Sequence, residues 1–322
     1  MEKKKIVIIG LGPIGGICAA HLSAAGHIVT GIDPWEEHIG KIKNNGLEIE
    51  CLKSIQASLQ DVYTRIDLLK EKEFDYAAIA VKTPMIQEVT AMLESFGGGF
   101  KKIVVLQNGL DNEFYFANCF GRDRIFRMVV NYAGNIVKPG RIKMSFFQKP
   151  NRLGCLCSQT SCCHVNEFAK IMTDAGLDTE PTEDIKKYTW QKTILNSSIT
   201  PLAALLDLTM SDVMVFPDTR NLVEMMLKEA IAVAKADGYD FGENFFDNSV
   251  NYLLNAGPHK PSMISDLKKG NPTEIEYINA KIVSYGKKYN VPVHYNAMMT
   301  MMVKARDFFG TERPINLELN GV

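Results

Sequence analysis

The sequence is poor in the features that would place it in several common classes of protein. Its 322 residues carry a formal net charge of −1, so no basic excess indicates binding to nucleic acid or to an anionic membrane. The apolar run in the N-terminal segment MEKKKIVIIG is only as long as one strand, so we expect neither a signal peptide nor a membrane span. Seven cysteines, an odd number, do not fit a disulfide scaffold. These absences favour a cytoplasmic protein with reduced thiols.

A cysteine-rich segment is the one place where a metal site has to be weighed. Cys155, Cys157, Cys162, Cys163 and His164 lie close together in the sequence. Their order, C-x-C followed by C-C-H, is not the spacing of a usual zinc site. We interpret the segment as a strand that ends near Cys157 and a helix that starts near Cys162. We therefore predict no metal.

The chain alternates apolar strands with helix-like segments in its first half. Its length and its 46% of hydrophobic residues suit two domains with sizeable cores. Alternating strands and helices predict an α/β domain with a parallel sheet, of the Rossmann type. After residue 125 three more strands are expected, as antiparallel additions to that sheet. The predicted strands of the alternating part are KKIVIIG, HIVTGID, FDYAAIAVK and KKIVVLQNG.

The second half is predicted to be an all-α domain. From about residue 184 apolar residues recur at helical spacing, with Gly238 and Asn290 as helix stops and Pro201 as the site of a kink. Proline and acidic residues interrupt the pattern at residues 178–184. We therefore expect a dinucleotide-binding domain over residues 1–180 and a helical substrate and catalytic domain over residues 181–322.

A glycine-rich turn follows the first predicted strand. Gly10, Gly12 and Gly15 form the G-x-G-x-x-G pattern, with a strand before it and a helix after it. Gly10 permits a tight turn, Gly12 lets a pyrophosphate approach the backbone, and Gly15 lets the helix pack closely on the strand. The loop, which includes Pro13 and Ile14, ends at a helix N-terminus that favours phosphate. The alternative is a strand–turn–helix without a ligand.

An acidic residue ends the second predicted strand. A carboxylate at Asp33 can accept hydrogen bonds from the hydroxyl groups of an adenosine ribose, and it would repel a 2′-phosphate. The next residues add Glu36 and Glu37 and no arginine. NAD is therefore favoured over NADP. The alternative is that Asp33 is only a turn residue before Pro34.

A predicted helix over residues 188–200, YTWQKTILNSSIT, carries polar residues on an apolar background. Lys192, Asn196 and Thr200 recur every four residues and fall within about 80° of one another on a helix of 3.6 residues per turn. A protonated lysine can polarise a substrate carbonyl and then give up a proton. The alternative is a lysine that extends its ammonium group to solvent.

Several motifs, taken together, resemble those of the ketopantoate reductases (2-dehydropantoate 2-reductases). They span nearly the whole chain in matching order, and the serine-to-glutamate part is the most specific. The motifs are the glycine pattern, AVK at 80–82, LQNGL at 106–110, WQKTILN at 190–196, SMISDL at 262–267 and PTEIEYIN at 272–279.

The resemblance implies roles for individual residues. Lys192 would be the general acid, with Glu274 as its carboxylate partner. Asp266 would support the turn that carries the serine. Taken alone, Glu274 could instead cap a helix, and Asn108 could be a turn residue. The implied substrate-binding residues are Asn108, Asn196, Thr200, His259 and Ser262; the implied cofactor-side residues beyond the glycine loop and Asp33 are Lys82 and Asn108.

Two positions depart from the family pattern. Thr200 and His259 stand where well-studied members have asparagines, around the end of the substrate that does not react. The substrate is therefore either ketopantoate, which would place the enzyme in pantothenate biosynthesis, or another branched or bulky 2-oxo acid, which would make it a 2-hydroxy acid dehydrogenase.

The predicted function is the NAD(P)H-dependent reduction of a 2-oxo acid, with Lys192 as the proton donor. A dinucleotide-sensing regulator without turnover and a 3-hydroxy acid or sugar-acid dehydrogenase are the rival hypotheses. The expected partner is a small-molecule substrate, with no nucleic acid and no membrane. The Met-rich stretch NAMMTMMVKARDFF fits either the core or a homodimer contact, and we place it in the core.

Overall fold

The computed structural model describes residues 2–157 and 163–312. Contacts between Cα atoms divide the chain into two compact units. The first unit comprises the residues up to Gln107 together with Asp111–Tyr188, and the second comprises Asn108–Leu110 and the residues from Thr189 onward. The division thus falls after the predicted 180/181 boundary, and a short segment from the first half of the chain belongs to the second unit.

The first unit contains all the strands of the described residues. Its helices are α1 Pro13–Ala24, α2 Glu36–Asn45, α3 Ile86–Ser95, α4 Asn112–Phe120 and α5 Cys163–Asp174. Short 3₁₀ turns cover Ile66–Leu68, Thr83–Met85 and Arg122–Arg124. The strands are β1 Lys5–Ile9, β2 Ile28–Ile32, β3 Leu47–Cys51, β4 Ile55–Ala57, β5 Asp61–Tyr63, β6 Glu73–Ile79, β7 Gly99–Val105, β8 Ile125–Val129, β9 Tyr132–Lys138, β10 Arg141–Phe147, β11 Asn151–Cys155 and β12 Thr179–Pro181.

The larger sheet has eight strands in the order β12-β11-β8-β7-β6-β1-β2-β5. The strands from β5 to β8 in this order are all parallel, which confirms the predicted α/β domain. The expected antiparallel position of the strand after residue 125 is wrong, because β8 lies parallel to β7. The reason is α4, a crossover helix that the sequence interpretation did not predict and that lets the chain return in the same direction. The antiparallel pair of this sheet is that of β11 with β8.

A second sheet of four strands lies on α1, in the order β4-β3-β10-β9. The expectation that β10 extends the main sheet is therefore wrong: β10 pairs with β3 and with β9. Glycines on both sides let this sheet approach the helix. A Cβ atom on Gly16 would lie 2.3 Å from the Cδ1 of Ile142, and one on Gly134 would lie 3.0 Å from the Cδ1 of Ile17. The sheet can come this close to α1 only because both positions lack a side chain.

The helices from Ile185 onward confirm the predicted all-α second half. They are α6 Ile185–Leu206, α7 Met210–Val215, α8 Pro217–Ala236, α9 Phe245–Leu254, α10 Ser262–Lys269, α11 Asn279–Tyr289 and α12 His294–Glu312, with a 3₁₀ turn at Ile275–Tyr277 before α11. Asn290 ends α11 in the left-handed conformation, with φ 55° and ψ 40°, as expected of a helix stop. Among the described residues, the helices are too short or too polar to cross a bilayer.

The Met-rich helix α12 is only partly a core element. Met299 is 2% exposed and Val303 is fully buried, whereas Met301 is 64% exposed. The expectation of a core stretch therefore holds for one side of the helix and is wrong for the other. The exposed apolar residues on α12 are Met298, Met301, Met302, Phe308 and Phe309.

A buried polar network replaces the backbone hydrogen bond that Pro201 cannot make. Pro201 lies inside α6 and has no N–H to donate to the carbonyl of Ser197. The Nδ2 of Asn279, a fully buried residue, donates to that carbonyl at 2.8 Å and to the Oδ1 of Asn296 at 3.1 Å. The Nδ2 of Asn296 in turn donates to the carboxylate of Glu229 at 2.8 Å. The helix therefore runs unbroken from Ile185 to Leu206.

We predict that Asn279→Ala costs about 1–3 kcal/mol of stability, because it leaves the buried carbonyl of Ser197 without a donor. In a Pro201→Ala background the same change should cost less, because an alanine at that position supplies the missing N–H group. Urea unfolding of the four proteins in this double-mutant cycle measures the coupling. Asn248→Ala, an exposed asparagine on α9, is the control and should stay within about 0.5 kcal/mol of the parent. Equal costs of Asn279→Ala in both backgrounds would contradict the proposed compensation.

Candidate active site

The glycine loop between β1 and α1 has the geometry of a phosphate-binding turn. Gly10 has φ +93°, and a Cβ atom there would lie 2.8 Å from the backbone nitrogen of Val81. A Cβ atom on Gly15 would lie 1.9 Å from the carbonyl oxygen of Gly10, so a side chain would force the helix away from the strand. Around Gly12, by contrast, no atom lies within 4 Å of such a Cβ position. The loop is thus tightly packed at Gly10 and Gly15, and it is free of neighbouring atoms at Gly12, where a ligand would approach.

The loop leads directly into a helix N-terminus. Gly12 is the residue before α1, and Pro13 occupies the first turn, where its missing N–H is no loss. Gly12, Pro13 and Ile14 are half-buried rather than enclosed. The first N–H groups of an α-helix have no intrahelical partners and favour a negatively charged group. The residues present therefore fit the pyrophosphate of a dinucleotide.

Asp33 is tied to this loop by its side chain. Its Oδ2 accepts a hydrogen bond from the backbone N–H of Leu11 at 2.8 Å, and its Oδ1 accepts one from the N–H of Trp35 at 3.0 Å. Asp33 is thus a turn residue, as the alternative interpretation held. It also holds the glycine loop in place through its hydrogen bond with Leu11. Each carboxylate oxygen can accept a further bond, so these contacts leave capacity for a ribose hydroxyl.

Lys82 lies on the neighbouring strand-to-helix connection. It precedes the 3₁₀ turn Thr83–Met85 and follows Val81, whose backbone packs against Gly10. The side chain of Lys82 is exposed. Lys82 therefore stands at the same carboxyl edge of the parallel sheet as the glycine loop and Asp33, where ligands bind in open α/β sheets.

A small pocket in the second unit brings together residues that are distant in the sequence. Its empty space, counted together with the solvent at its open mouth, is about 260 Å³. The lining carries amides, hydroxyls and carboxylates beside two apolar side chains. The lining residues are Asn108, Asn196, Thr200, Ser262, Met263, Asp266, Glu274 and Ile278.

The position of Asn108 depends on the glycine that follows it. Gly109 has φ +101°, and a Cβ atom there would lie 2.5 Å from the carbonyl oxygen of Tyr277. The same carbonyl accepts a hydrogen bond from the N–H of Leu110 at 3.0 Å. This close backbone contact is why Asn108 lies in the second unit. Its Nδ2 donates to the Oε2 of Glu274 at 3.3 Å.

Glu274 is buried, at 6% exposure, and is held by the segment before it. Thr273 donates from its hydroxyl to the Oδ2 of Asp307 on α12 at 2.6 Å. Glu274 precedes the 3₁₀ turn Ile275–Tyr277, and its side chain makes no capping hydrogen bond there. The alternative interpretation of Glu274 as a helix cap is therefore wrong, and its carboxylate accepts the amide of Asn108 instead.

Ser262 begins α10, directly after Pro261. Its side chain is exposed, whereas Met263 and Asp266 on the same helix are buried. Ser262 and Asp266, one turn apart, both line the pocket. The pocket thus receives a hydroxyl at a helix N-terminus, where an anionic group is favoured.

Helix α6 contributes two of the lining residues, Asn196 and Thr200, at the four-residue spacing that the sequence predicts to share a face. Lys192 lies one turn before Asn196 on that face and is half-buried. Among the described residues, the eight that line the pocket do not include Lys192. Its spacing of one helical turn from Asn196, which does line the pocket, places Lys192 next to the pocket along α6.

His259 differs from the other predicted substrate-binding residues, which all line the pocket. Its side chain is not among those that line the pocket within the described chain. Its backbone carbonyl accepts a hydrogen bond from the N–H of Met210 at 2.9 Å, at the start of α7. Burial lowers the pKa of His259 below its ordinary value, which favours the neutral ring near pH 7.

Two apolar lining residues were not predicted from the sequence. Met263 and Ile278 look like ordinary core residues, and both are 3% exposed or less. Their place next to the motif residues Ser262 and Glu274 is the only signal that could have identified them. The cysteine-rich segment shows no cluster of three or more metal-ligating side chains among the residues described, and Cys162 lies outside them.

Comparison with known proteins shows that two family models match the chain. The model described as "Ketopantoate reductase PanE/ApbA" matches residues 6–156, and "Ketopantoate reductase PanE/ApbA C terminal" matches residues 184–307. Two similar proteins are the 2-dehydropantoate 2-reductases of Aquifex aeolicus and Pyrococcus abyssi, each 27% identical. The alignments cover 95% of this chain and 97% of the first protein, and 94% of this chain and 98% of the second.

Solved structures share the fold. A ternary structure of D-mandelate dehydrogenase with NADH and anilino(oxo)acetate superposes with a TM-score of 0.85, at 24% identity, over 94% of this chain and 98% of that one. The 2-dehydropantoate 2-reductase from Methylococcus capsulatus superposes with a TM-score of 0.83, also at 24% identity, over 96% and 98%.

Two glycine variants should separate ligand binding from folding. Gly12→Ala places its methyl group in open space at φ −61°, so stability should stay within about 0.5 kcal/mol while the Kd for NADH rises about tenfold or more. Gly15→Ala should instead cost about 1–3 kcal/mol of stability because of its clash with Gly10. Calorimetric titration with NADH and thermal unfolding measure the two effects. Unchanged NADH affinity in Gly12→Ala would mean that the loop does not bind the pyrophosphate.

Proposed function

The chain belongs to the ketopantoate reductase family of NAD(P)H-dependent oxidoreductases, and on that premise we propose that it reduces a 2-oxo acid to a 2-hydroxy acid. The observation that carries the proposal is the second-unit pocket, in which Asn108, Asn196, Ser262 and Glu274 come together from four separate segments. These are the residue types that binding a keto acid and handling one proton require.

In the proposed reaction the bound cofactor supplies a hydride to C2 of the oxo acid. Lys192 donates its proton to the oxygen that gains negative charge, and Glu274 provides the opposite charge that keeps the ammonium form of the lysine. Asn108 holds the Glu274 carboxylate through its amide. In this proposal Lys192 supplies the proton, Glu274 keeps the lysine charged, and Asn108 holds Glu274 in place.

We assign substrate orientation to the remaining residues of the pocket lining. Asn196 offers an amide that can donate and accept hydrogen bonds without adding charge. The hydroxyl of Ser262 and the first turn of α10 suit the carboxylate of the substrate, because helix N-termini favour anions. Thr200 and the apolar side chains of Met263 and Ile278 suit the branched end of the acid.

The identity of the oxo acid follows from a panel of substrates. Ketopantoate as the preferred substrate places the enzyme in pantothenate biosynthesis. Preference for another branched or bulky 2-oxo acid makes it a 2-hydroxy acid dehydrogenase, the alternative that Thr200 and His259 raise. Cofactor binding without turnover on any 2-oxo or 3-hydroxy acid would overturn the proposal in favour of a dinucleotide-sensing regulator. The cytoplasm stays the predicted compartment.

Lys192→Ala should lower kcat about 10²-fold or more while leaving the Kd for the cofactor nearly unchanged, since proton transfer by a positioned side chain contributes at least that much. Steady-state kinetics with the preferred oxo acid and calorimetric titration with the cofactor give the two values. Lys187→Ala, an exposed lysine on the same helix, is the matched control. Near-normal kcat in a folded Lys192→Ala protein would refute the assignment of the proton donor.

We also propose that Asp33 makes the enzyme prefer NADH over NADPH. A 2′-phosphate near the carboxylate would cost on the order of 1–4 kcal/mol, and 1.36 kcal/mol corresponds to one factor of ten. Asp33→Asn keeps the size of the side chain and removes its charge, and its single amide oxygen can still accept one of the two backbone N–H bonds, from Leu11 or from Trp35, that the carboxylate accepts. It should shift the ratio of kcat/KM values toward NADPH by about tenfold or more.

The control for this variant is Glu37→Gln, which removes an exposed charge in the first turn of α2. It should change the ratio much less, because solvent and salt screen the charge of an exposed side chain. A wild-type preference for NADPH would contradict the proposal outright. Equal shifts in the two variants would indicate a general charge effect instead of a specific role for Asp33.

A further inference from the structure

The chain has two tryptophans, and they lie in opposite environments. Trp190 is fully buried in the second unit, where its Nε1 donates to Asp237 at 3.0 Å. Trp35 is 41% exposed and stands between β2 and the first turn of α2. Part of the indole surface is therefore left outside the core of the first unit. Its position beside Asp33 makes it available to a ligand bound there.

Trp35 is held in a fixed orientation from behind. The ring of His38 stacks on it with 5.1 Å between centroids and 11° between planes. His38 itself is fully buried: its Nε2 donates to the carbonyl of Leu11 at 3.0 Å, and its Nδ1 accepts the N–H of Gly140 at 3.0 Å. These bonds require the neutral ring with its proton on Nε2, and burial lowers the pKa of His38 accordingly.

The same small region connects Trp35 to the nucleotide loop. Asp33 accepts the N–H of Trp35 with one carboxylate oxygen and the N–H of Leu11 with the other. His38 bonds to the carbonyl of Leu11. Backbone and side-chain bonds therefore fix the indole, the acidic residue and the glycine loop relative to one another. In dinucleotide-binding folds the acidic residue after the second strand holds the adenosine ribose, so the attached base lies next to it.

We propose that the exposed face of Trp35 is the stacking platform for the adenine ring of the dinucleotide, with His38 as its rigid support. This inference rests on the proposed dinucleotide-dependent function. An indole stacks on an uncharged base through its π-face. The acidic residues that follow Trp35, Glu36 and Glu37, would not attract a 2′-phosphate on the adenosine ribose. Because the orientation of the indole is set before binding, the cofactor loses little affinity to ordering it.

Trp35 also provides the signal for the test. It is the exposed tryptophan of the pair, so stacking of a base on it should quench a large part of the intrinsic fluorescence. Titration with ADP should produce this quenching, whereas ribose 5-phosphate, which lacks the adenine ring, should not. Trp35→Phe removes the signal and keeps an aromatic face.

Affinity separates the stacking role from a structural one. Trp35→Ala should weaken the binding of ADP and of NADH by the same factor, about tenfold or more. Trp35→Phe should recover most of the affinity. Leu52→Ala, which truncates another exposed apolar side chain of the first unit, is the control and should bind ADP normally.

Normal ADP affinity in a folded Trp35→Ala protein overturns the proposal, as does equal fluorescence quenching by ribose 5-phosphate. These outcomes are distinct from failure of the proposed function. A protein that binds ADP through Trp35 but reduces no 2-oxo acid would leave the adenine platform intact and overturn only the reductase assignment.

Discussion

The contact between residues 109–110 and the carbonyl of Tyr277 is the constraint on which the candidate site depends. Gly109 has to be without a side chain for the backbone to come this close, and Leu110 then donates to that carbonyl. The contact brings Asn108 to Glu274, although the two are far apart in the sequence. Without it the pocket would lose an amide and the Glu274 carboxylate would lose a donor, which is costly for a buried charge.

The glycine loop and the pocket illustrate two different ways of building a site. The loop is local: its glycines, Asp33 and the helix N-terminus come from one strand–helix–strand segment. The pocket is assembled from segments near residues 108, 196, 262 and 274, so each part is held by tertiary contacts such as that of Thr273 with Asp307. A local site tolerates change elsewhere in the fold, whereas an assembled one depends on the packing of several helices.

The sequence predicted best what is local. The glycine pattern, the alternation of strands with helices and the stop of α11 at Asn290 follow from short-range rules about φ, periodicity and capping. The direction of β8 and the second sheet did not follow, because they depend on which strands pair across long separations. Resemblance to a family identified Ser262 and Glu274, which no spacing rule would connect. It also suggested His259, whose side chain the fold places outside the pocket lining in the described residues.

The bond between Asn279 and the carbonyl of Ser197 has a consequence for how this family can vary. Pro201 creates an acceptor without a donor, and Asn279, far along the chain, supplies the donor. A homologue that loses the proline regains the backbone donor and no longer needs the amide, while one that loses the amide first is left with an unsatisfied buried carbonyl. The order of the two substitutions therefore matters, and the two positions are expected to co-vary among related sequences. Such co-variation would reflect the hydrogen bonding of helix α6 and not a requirement of the catalysed reaction.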